Sequence, residues 1–156
     1  MDNGRTIALR FRPVMVNDVD LLFAWVNDEE VRKNSFCSEA IDSKTHQEWF
    51  KKKVSDPLCK MFIVFRGKQP VGQIRIDIEN QELYIDISVA KENRGFGLGA
   101  KILQQLGPYL RSKGFECSPL IGVVKTQNRA SQRAFKKAGF CEVFRDAASV
   151  RYKKEI

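Results

Sequence analysis

Histidine is almost absent, with His46 alone in 156 residues. The four cysteines, Cys37, Cys59, Cys117 and Cys141, are scattered and include no C-x-x-C pair. These scarcities argue against a structural zinc site and fit free thiols in a reducing cytoplasm, so no metal is expected. Long apolar runs are missing too, and nothing approaches the length that spans a bilayer. Met1-Asp2-Asn3-Gly4-Arg5 leads straight into alternating apolar and basic residues. Without an apolar h-region, neither a signal peptide nor a membrane partner is expected. No linker, repeat or low-complexity stretch interrupts the chain, so residues 1–156 read as one domain with a proper core.

The hydrophobic fraction of 43% and charged fraction of 29% are those of a globular protein. A net charge of +8 calls for a polyanionic partner or for none. Nucleic acid, a nucleotide cofactor and a nucleotide-linked substrate all fit. The basic residues are dispersed rather than blocked, which disfavours nucleic acid.

The patterning is mixed α/β. Ile7, Leu9 and Phe11 alternate with Ala8 and Arg10, predicting a first strand closed by Pro13. Asn17 or Asp18 can cap a short helix carrying Leu21, Leu22, Trp25 and Val26. Thr45-His46-Gln47-Glu48 reads as a capping box opening a helix with Trp49, Phe50 and Val54 on its apolar side. A three-strand meander follows, over 61–65, 71–78 and 83–89. In it Ile74, Ile76, Ile78, Leu83, Ile85, Ile87 and Val89 share one face. Arg75, Asp77, Tyr84 and Asp86 take the other, as a solvent face or as the floor of a polar site. Then come a helix after Gly99, a strand over 120–124, a helix over 130–138 ended by Gly139, and two closing strands.

The loop Arg94-Gly95-Phe96-Gly97-Leu98-Gly99 follows a strand and opens a helix. Helix N-termini present unpaired N–H groups and a positive dipole end to phosphate oxygens. Glycines let the phosphates approach those amides, and Arg94 is expected to add a cation. A dinucleotide-binding loop is excluded because the strand belongs to a meander and the spacing is G-x-G-x-G. A nucleotide P-loop lacks its Gly-Lys-Ser/Thr ending here.

Arg94-x-x-Gly97-x-Gly99 after Ile87-Ser88-Val89 resembles the acetyl-CoA signature of the GNAT (Gcn5-related) N-acetyltransferases. The second half of that signature is present as Val123-Val124-Lys125-x-x-Asn128-x-x-Ser131-x-x-x-Phe135-x-x-x-Gly139-Phe140. The resemblance implies a splayed, mostly antiparallel sheet of about seven strands flanked by about four helices. It implies acetyl-CoA held between the strand ending at Val89 and the strand 120–124, on Ile87, Ser88, Val89, Arg94 through Ala100, Asn128, Ser131 and Phe135. The Val89 N–H is the expected donor to the thioester carbonyl. Asn128 is expected to touch the cofactor or to cap the following helix.

Acetyl transfer to an amine needs a base more than an acid, because a thiolate leaves readily. His46 and Asp86 are the candidate bases. His46 otherwise reads as a surface residue at a helix start, and Asp86 as the partner of Arg75. Glu48 reads as the capping-box partner of Thr45. Many GNAT enzymes carry a tyrosine where this chain has Phe135, so a tyrosine acid is excluded there, leaving the Ser131 hydroxyl, water or no acid.

Trp25-x-Asn27-Asp28-x-x-Val31-Arg32 and His46-x-x-Trp49-Phe50 are similar to N-acetyltransferases acting on UDP-linked 4-amino sugars in pseudaminic acid biosynthesis. That similarity implies a small-molecule amine acceptor met by Trp25, Asn27, Arg32, His46 and Arg75. Trp49 is expected to be a core anchor instead. Two other readings stay open. One is a ribosomal-protein type N-terminal acetyltransferase, which shares the Arg10-Phe11-Arg12-Pro13 opening; the other is a non-catalytic acyl-CoA sensor. A monomer or homodimer is expected.

Overall fold

The computed structural model describes residues 8–115 and 118–156. Ile7 and Cys117 therefore lie outside the described residues. The strands are β1 (Leu9–Pro13), β2 (Cys59–Arg66), β3 (Gln69–Glu79), β4 (Glu82–Val89), β5 (Leu120–Lys125), β6 (Cys141–Arg145) and β7 (Ser149–Lys154). The helices are α1 (Val19–Val26), α2 (Glu29–Asn34), α3 (Ser43–Ser55), α4 (Leu98–Ser112) and α5 (Arg129–Lys137). One more helix is present than expected: α2 occupies what reads as a polar connection. Asp28 makes it, its side chain accepting from the N–H groups of Glu30 and Val31.

The seven strands form one sheet in the order β1-β2-β3-β4-β5-β7-β6. Every neighbouring pair is antiparallel except β4 and β5, which run parallel through the crossover helix α4. The expected faces are the observed ones. Ile74, Ile76, Leu83 and Ile85 meet Ile102, Leu103, Leu106 and Leu110 of α4 in the main core. On the opposite face Leu22, Phe50, Met61 and Ile63 form a smaller core beneath α1 and α3.

Two helix starts differ from expectation. Asp42, not Thr45, caps α3: its carboxylate accepts from the Thr45 N–H and hydroxyl at 2.8 and 2.9 Å. Asp18 is buried and makes no cap bond. It accepts from Arg12 at 2.8 and 3.0 Å and from the Met15 N–H at 2.7 Å, fixing the chain as it leaves β1.

What positions the site is a failure of pairing. β4 and β5 are registered only at Leu83↔Leu120, Tyr84↔Ile121 and Ile85↔Gly122. Beyond Ile85 the strands part. Gly122 marks the fork, because the Phe135 ring packs where its side chain would be: a Cβ there would lie 2.3 Å from Phe135 Cε1. Phe135 is stacked on Tyr152 and set edge-on to Phe140, so α5 is wedged against β5 just where the sheet opens.

Candidate active site

Past the fork, backbone polar groups need partners that the sheet no longer supplies. The Leu83 N–H bonds to the Pro119 carbonyl on the β5 side, and the Ala90 N–H bonds to the Val71 carbonyl on the β3 side. Strand alternation then aims the N–H and C=O groups of Ile87 and Val89 into the gap. The Val89 carbonyl accepts from Arg94 Nε at 3.0 Å, while its N–H faces the opening.

The gap leads into a cleft of about 760 Å³ lined by residues of β2, β3, β4, β5, α1, α2, α3, α5 and the first turns of α4. At its mouth Gly97 caps α4 with φ of 73°, a left-handed conformation that admits glycine without strain. The nearest atom to a Cβ built there is Lys137 Nζ, 3.9 Å away. The α4 first-turn amides of Leu98, Gly99 and Ala100 thus open on a space bordered by Lys137 and Arg133, one turn apart on α5. A diphosphate fits this cradle, and an arm carrying amides fits the unpaired edges of β4 and β5. The coenzyme A implied by the sequence has both parts.

The expected cofactor residues fall around this feature in different ways. Ile87, Ser88, Val89, Gly95, Gly97, Leu98, Gly99, Ala100, Asn128, Ser131 and Phe135 all line the cleft. Phe96 is 73% exposed at the loop tip, so only its backbone belongs to the cradle. Asn128 caps α5, its side chain accepting from the Ser131 N–H at 3.1 Å. Phe135 is a buried wall. Arg94 lines the cleft, but its guanidinium is directed to Asp28 at 2.7 Å rather than left free for phosphate. Lys137 and Arg133 also border the cradle, Lys137 beside Gly97 and Arg133 along the cleft. Sequence reading passes over them because lysine and arginine on a basic helix carry no local signal.

The candidate bases also separate. Asp86 projects from β4 on the polar face with Ser88, and its carboxylate is 54% exposed. Arg75 holds it at 3.4 Å while bonding Asp77 at 2.8 Å, and Lys53 bonds Asp77 at 2.6 Å. Burial works against the Arg75 charge, but Asp86 and Asp77 more than restore it and raise its pKa. Arg75, which also lines the cleft, is thus engaged by both carboxylates, the pairing with Asp86 among them. Along the same face the Gln73 amide donates to the Ser88 hydroxyl at 3.2 Å.

His46 is not at the surface. It lines the cleft yet is only 2% exposed, packed among Phe23, Trp49 and Phe50 with ring centroids at 5.3, 5.6 and 6.3 Å. Neither ring nitrogen has a partner among the described residues. Burial pushes its pKa down from the ordinary 6.5. The ring is thus neutral at pH 7, but a proton accepted there would create a cation in an aromatic cage. As the pH falls below 6.5 the unfolded chain takes up this proton and the folded chain resists it, so stability falls through that window. Because the chain has one histidine, its imidazole resonances report on this directly. They should titrate below the ordinary histidine range, and His46→Phe should flatten the pH dependence of the unfolding midpoint between about pH 7 and 5.5. An ordinary titration near 6.5 would contradict the buried placement.

The remaining acceptor candidates are redistributed. Trp25 and Trp49 both pack against the smaller core, as expected for Trp49, and Trp49 also lines the cleft beneath the Arg75 guanidinium. Asn27 exchanges both of its amide bonds with the Ile41 backbone at 2.8 Å. Arg32 donates to the carbonyls of Val26, Cys37 and Glu39 and to the Ser35 hydroxyl. Both side chains are committed to shaping the chain between α1 and α3, although Arg32 also lines the cleft. Buried Asn93 also lines the cleft, its side-chain carbonyl oxygen without a partner among the described residues. No tyrosine lines the cleft among the described residues, and no group of metal-binding side chains occurs among them. Nor is any described helix long and apolar enough to cross a membrane.

Comparison with known proteins gives a consistent picture. The family model described as acetyltransferase (GNAT) domain matches residues 8–141. An uncharacterized N-acetyltransferase of Bacillus subtilis (strain 168), YfmK, is 24% identical over 132 residues, covering 84% of each chain. Among solved structures, AAC(6')-Ib with paromomycin and acetyl-CoA superposes with a TM-score of 0.80. It is 18% identical, over 94% of this chain and 92% of that one. RimL, a ribosomal L7/L12 α-N-protein acetyltransferase in complex with coenzyme A, gives 0.79 at 15% identity over 96% of each chain. At such identities the structural likeness speaks for the fold.

Proposed function

The chain belongs to the acetyltransferase (GNAT) domain family and is an N-acetyltransferase, and from that premise we propose that it moves the acetyl group of acetyl-CoA directly to a small-molecule primary amine. The acceptor we favour is the 4-amino group of a nucleotide-linked sugar. The observation that carries the donor half is the fork between β4 and β5, with the Val89 N–H facing the gap beside the Gly97 cradle.

Bound acetyl-CoA supplies an already activated acyl thioester. The chain's part is to hold it and to deliver a neutral amine. The amides at the start of α4, with Lys137 and Arg133, hold the diphosphate. The unpaired edge of β4 aligns the amide-bearing arm, and the Val89 N–H stabilises charge developing on the carbonyl oxygen. Asp86 lies three residues before Val89, roughly 10 Å along the strand. It therefore takes the amine proton through water, and the Ser88 hydroxyl stands between to order that relay. Its exposure lets the proton pass on to solvent, which His46 in its cage does not offer. Ser131, lining the α5 side, is the hydroxyl available for the departing thiolate.

The acceptor reading is supported by the sequence similarity around 25–32 and 46–50, of whose residues Val31, Arg32, His46 and Trp49 line the cleft. The ribosomal-protein reading leans on Arg10-Phe11-Arg12-Pro13. Arg12 is engaged with Asp18 at 2.8 Å, so that motif carries folding rather than acceptor information. Thiol release from acetyl-CoA should be at least about tenfold more efficient, as kcat/KM, with a UDP-4-amino sugar than with peptides bearing free N-termini. The reverse ranking would support N-terminal acetylation. Coenzyme A binding without thiol release to either would support a sensor.

A further inference from the structure

Arg94 belongs by sequence to the phosphate loop, yet its side chain reaches 66 positions back along the chain to Asp28. Nη2 bonds Asp28 Oδ1 at 2.7 Å, Nε bonds the Val89 carbonyl at 3.0 Å, and Nη1 stands 4.0 Å from Glu30. The same Asp28 oxygen accepts from the Glu30 and Val31 amides at 3.1 and 3.2 Å, so it is also the cap of α2. Burial disfavours the Asp28 charge, but Arg94 and those amides overcome this and hold its carboxyl below the usual range. At the other end of α2, Lys125 Nζ from the tip of β5 donates to the Lys33 carbonyl at 3.0 Å. α2 is thus tied at its start to the end of β4 and at its finish to the end of β5. It lies across the fork, with Glu30, Val31 and Asn34 lining the cleft.

We propose that Arg94 is a positioning residue, a strut that transmits occupancy of the glycine cradle to α2 and so sets the acceptor side of the cleft when coenzyme A binds. A guanidinium already neutralised by a carboxylate and anchored on a carbonyl is a poor phosphate ligand and a rigid link. The strut needs two donors in fixed geometry, one to Val89 and one to Asp28. Lysine offers a point charge and cannot make both bonds, though it would serve a phosphate well. Reciprocity follows: whatever steadies α2 tightens coenzyme A by the same factor.

The inference rests on the proposed acyl-CoA site, and the test separates the two. Hydrogen exchange of the α2 amides is followed in the full chain with and without saturating coenzyme A, alongside calorimetric affinity. In the wild type, coenzyme A should slow α2 exchange about fivefold. Arg94→Lys and Asp28→Ser should abolish that slowing while weakening coenzyme A by no more than the same factor of about five. Serine keeps a helix cap but is too short to meet Arg94, so α2 remains formed. The double variant should be no worse than either single one, as for two halves of one link. Retained slowing in Arg94→Lys would overturn the strut. So would a coenzyme A affinity lost in Arg94→Met and restored in Arg94→Lys, which marks a phosphate ligand. A wild type that binds coenzyme A without quietening α2 refutes the strut alone; one that binds none refutes the cofactor site itself.

Discussion

Replacing Gly97 with tryptophan should raise the dissociation constant for coenzyme A by at least about a hundredfold, or roughly 2.7 kcal/mol. The reason is local. Gly97 has φ of 73°, and a side chain there would enter the space between the α4 amides and Lys137 Nζ. An indole in that space would exclude the diphosphate from the donors that hold it. The left-handed backbone adds a cost of about 1–2 kcal/mol to any side chain, which a loop at the cleft mouth can absorb without losing the fold. Circular dichroism should therefore stay unchanged while calorimetry loses its signal. Wild-type affinity in this variant would remove the cradle from the binding site.

Asp86→Asn is the second large effect. It should lower kcat with any amine the wild type acetylates by about a hundredfold or more, the usual worth of a positioned base. Coenzyme A affinity should hardly change, because Asp86 sits on the acceptor side of β4. Structural damage is limited, since Arg75 keeps its 2.8 Å bond to Asp77 when the 3.4 Å contact with Asp86 is weakened. His46→Phe provides the contrast. If Asp86 is the base, removing the buried imidazole should leave the pH dependence of kcat in place. Wild-type turnover in Asp86→Asn, together with a collapse in His46→Phe, would exchange the two roles.

The donor half of the site was legible because its determinants are local. A strand, three alternate glycines and a helix start are contiguous, and the left-handed φ at Gly97 is a constraint that a single residue satisfies. The strand faces were legible for the same reason: alternation over 74–89 survives folding unchanged. The acceptor half resisted because its determinants are distant in sequence. His46 lies in a polar run, and what buries it is Phe23 from another helix as much as its own neighbours. Trp25 and Trp49 both sit on amphipathic helices and both pack against the smaller core, and only the fold shows that the second also lines the cleft. Asn27, Arg32 and Arg94 carry groups suited to ligands, yet backbone carbonyls and Asp28 claim them first. The α2 helix, by contrast, could have been read. Asp28 is followed by Glu29 and Glu30, and Arg32 and Lys33 close the turn, a charge order that favours a short helix.

The central claim is that the fork between β4 and β5 is where an acyl-CoA lies. Titrating coenzyme A into uniformly 15N-labelled protein tests it residue by residue. The largest amide shifts should fall on Ile87, Val89, Gly97 and Gly99, saturating together with one affinity, while the β1 and β2 amides stay still. Saturable binding that leaves those four amides unmoved, or no binding at all, would contradict the account.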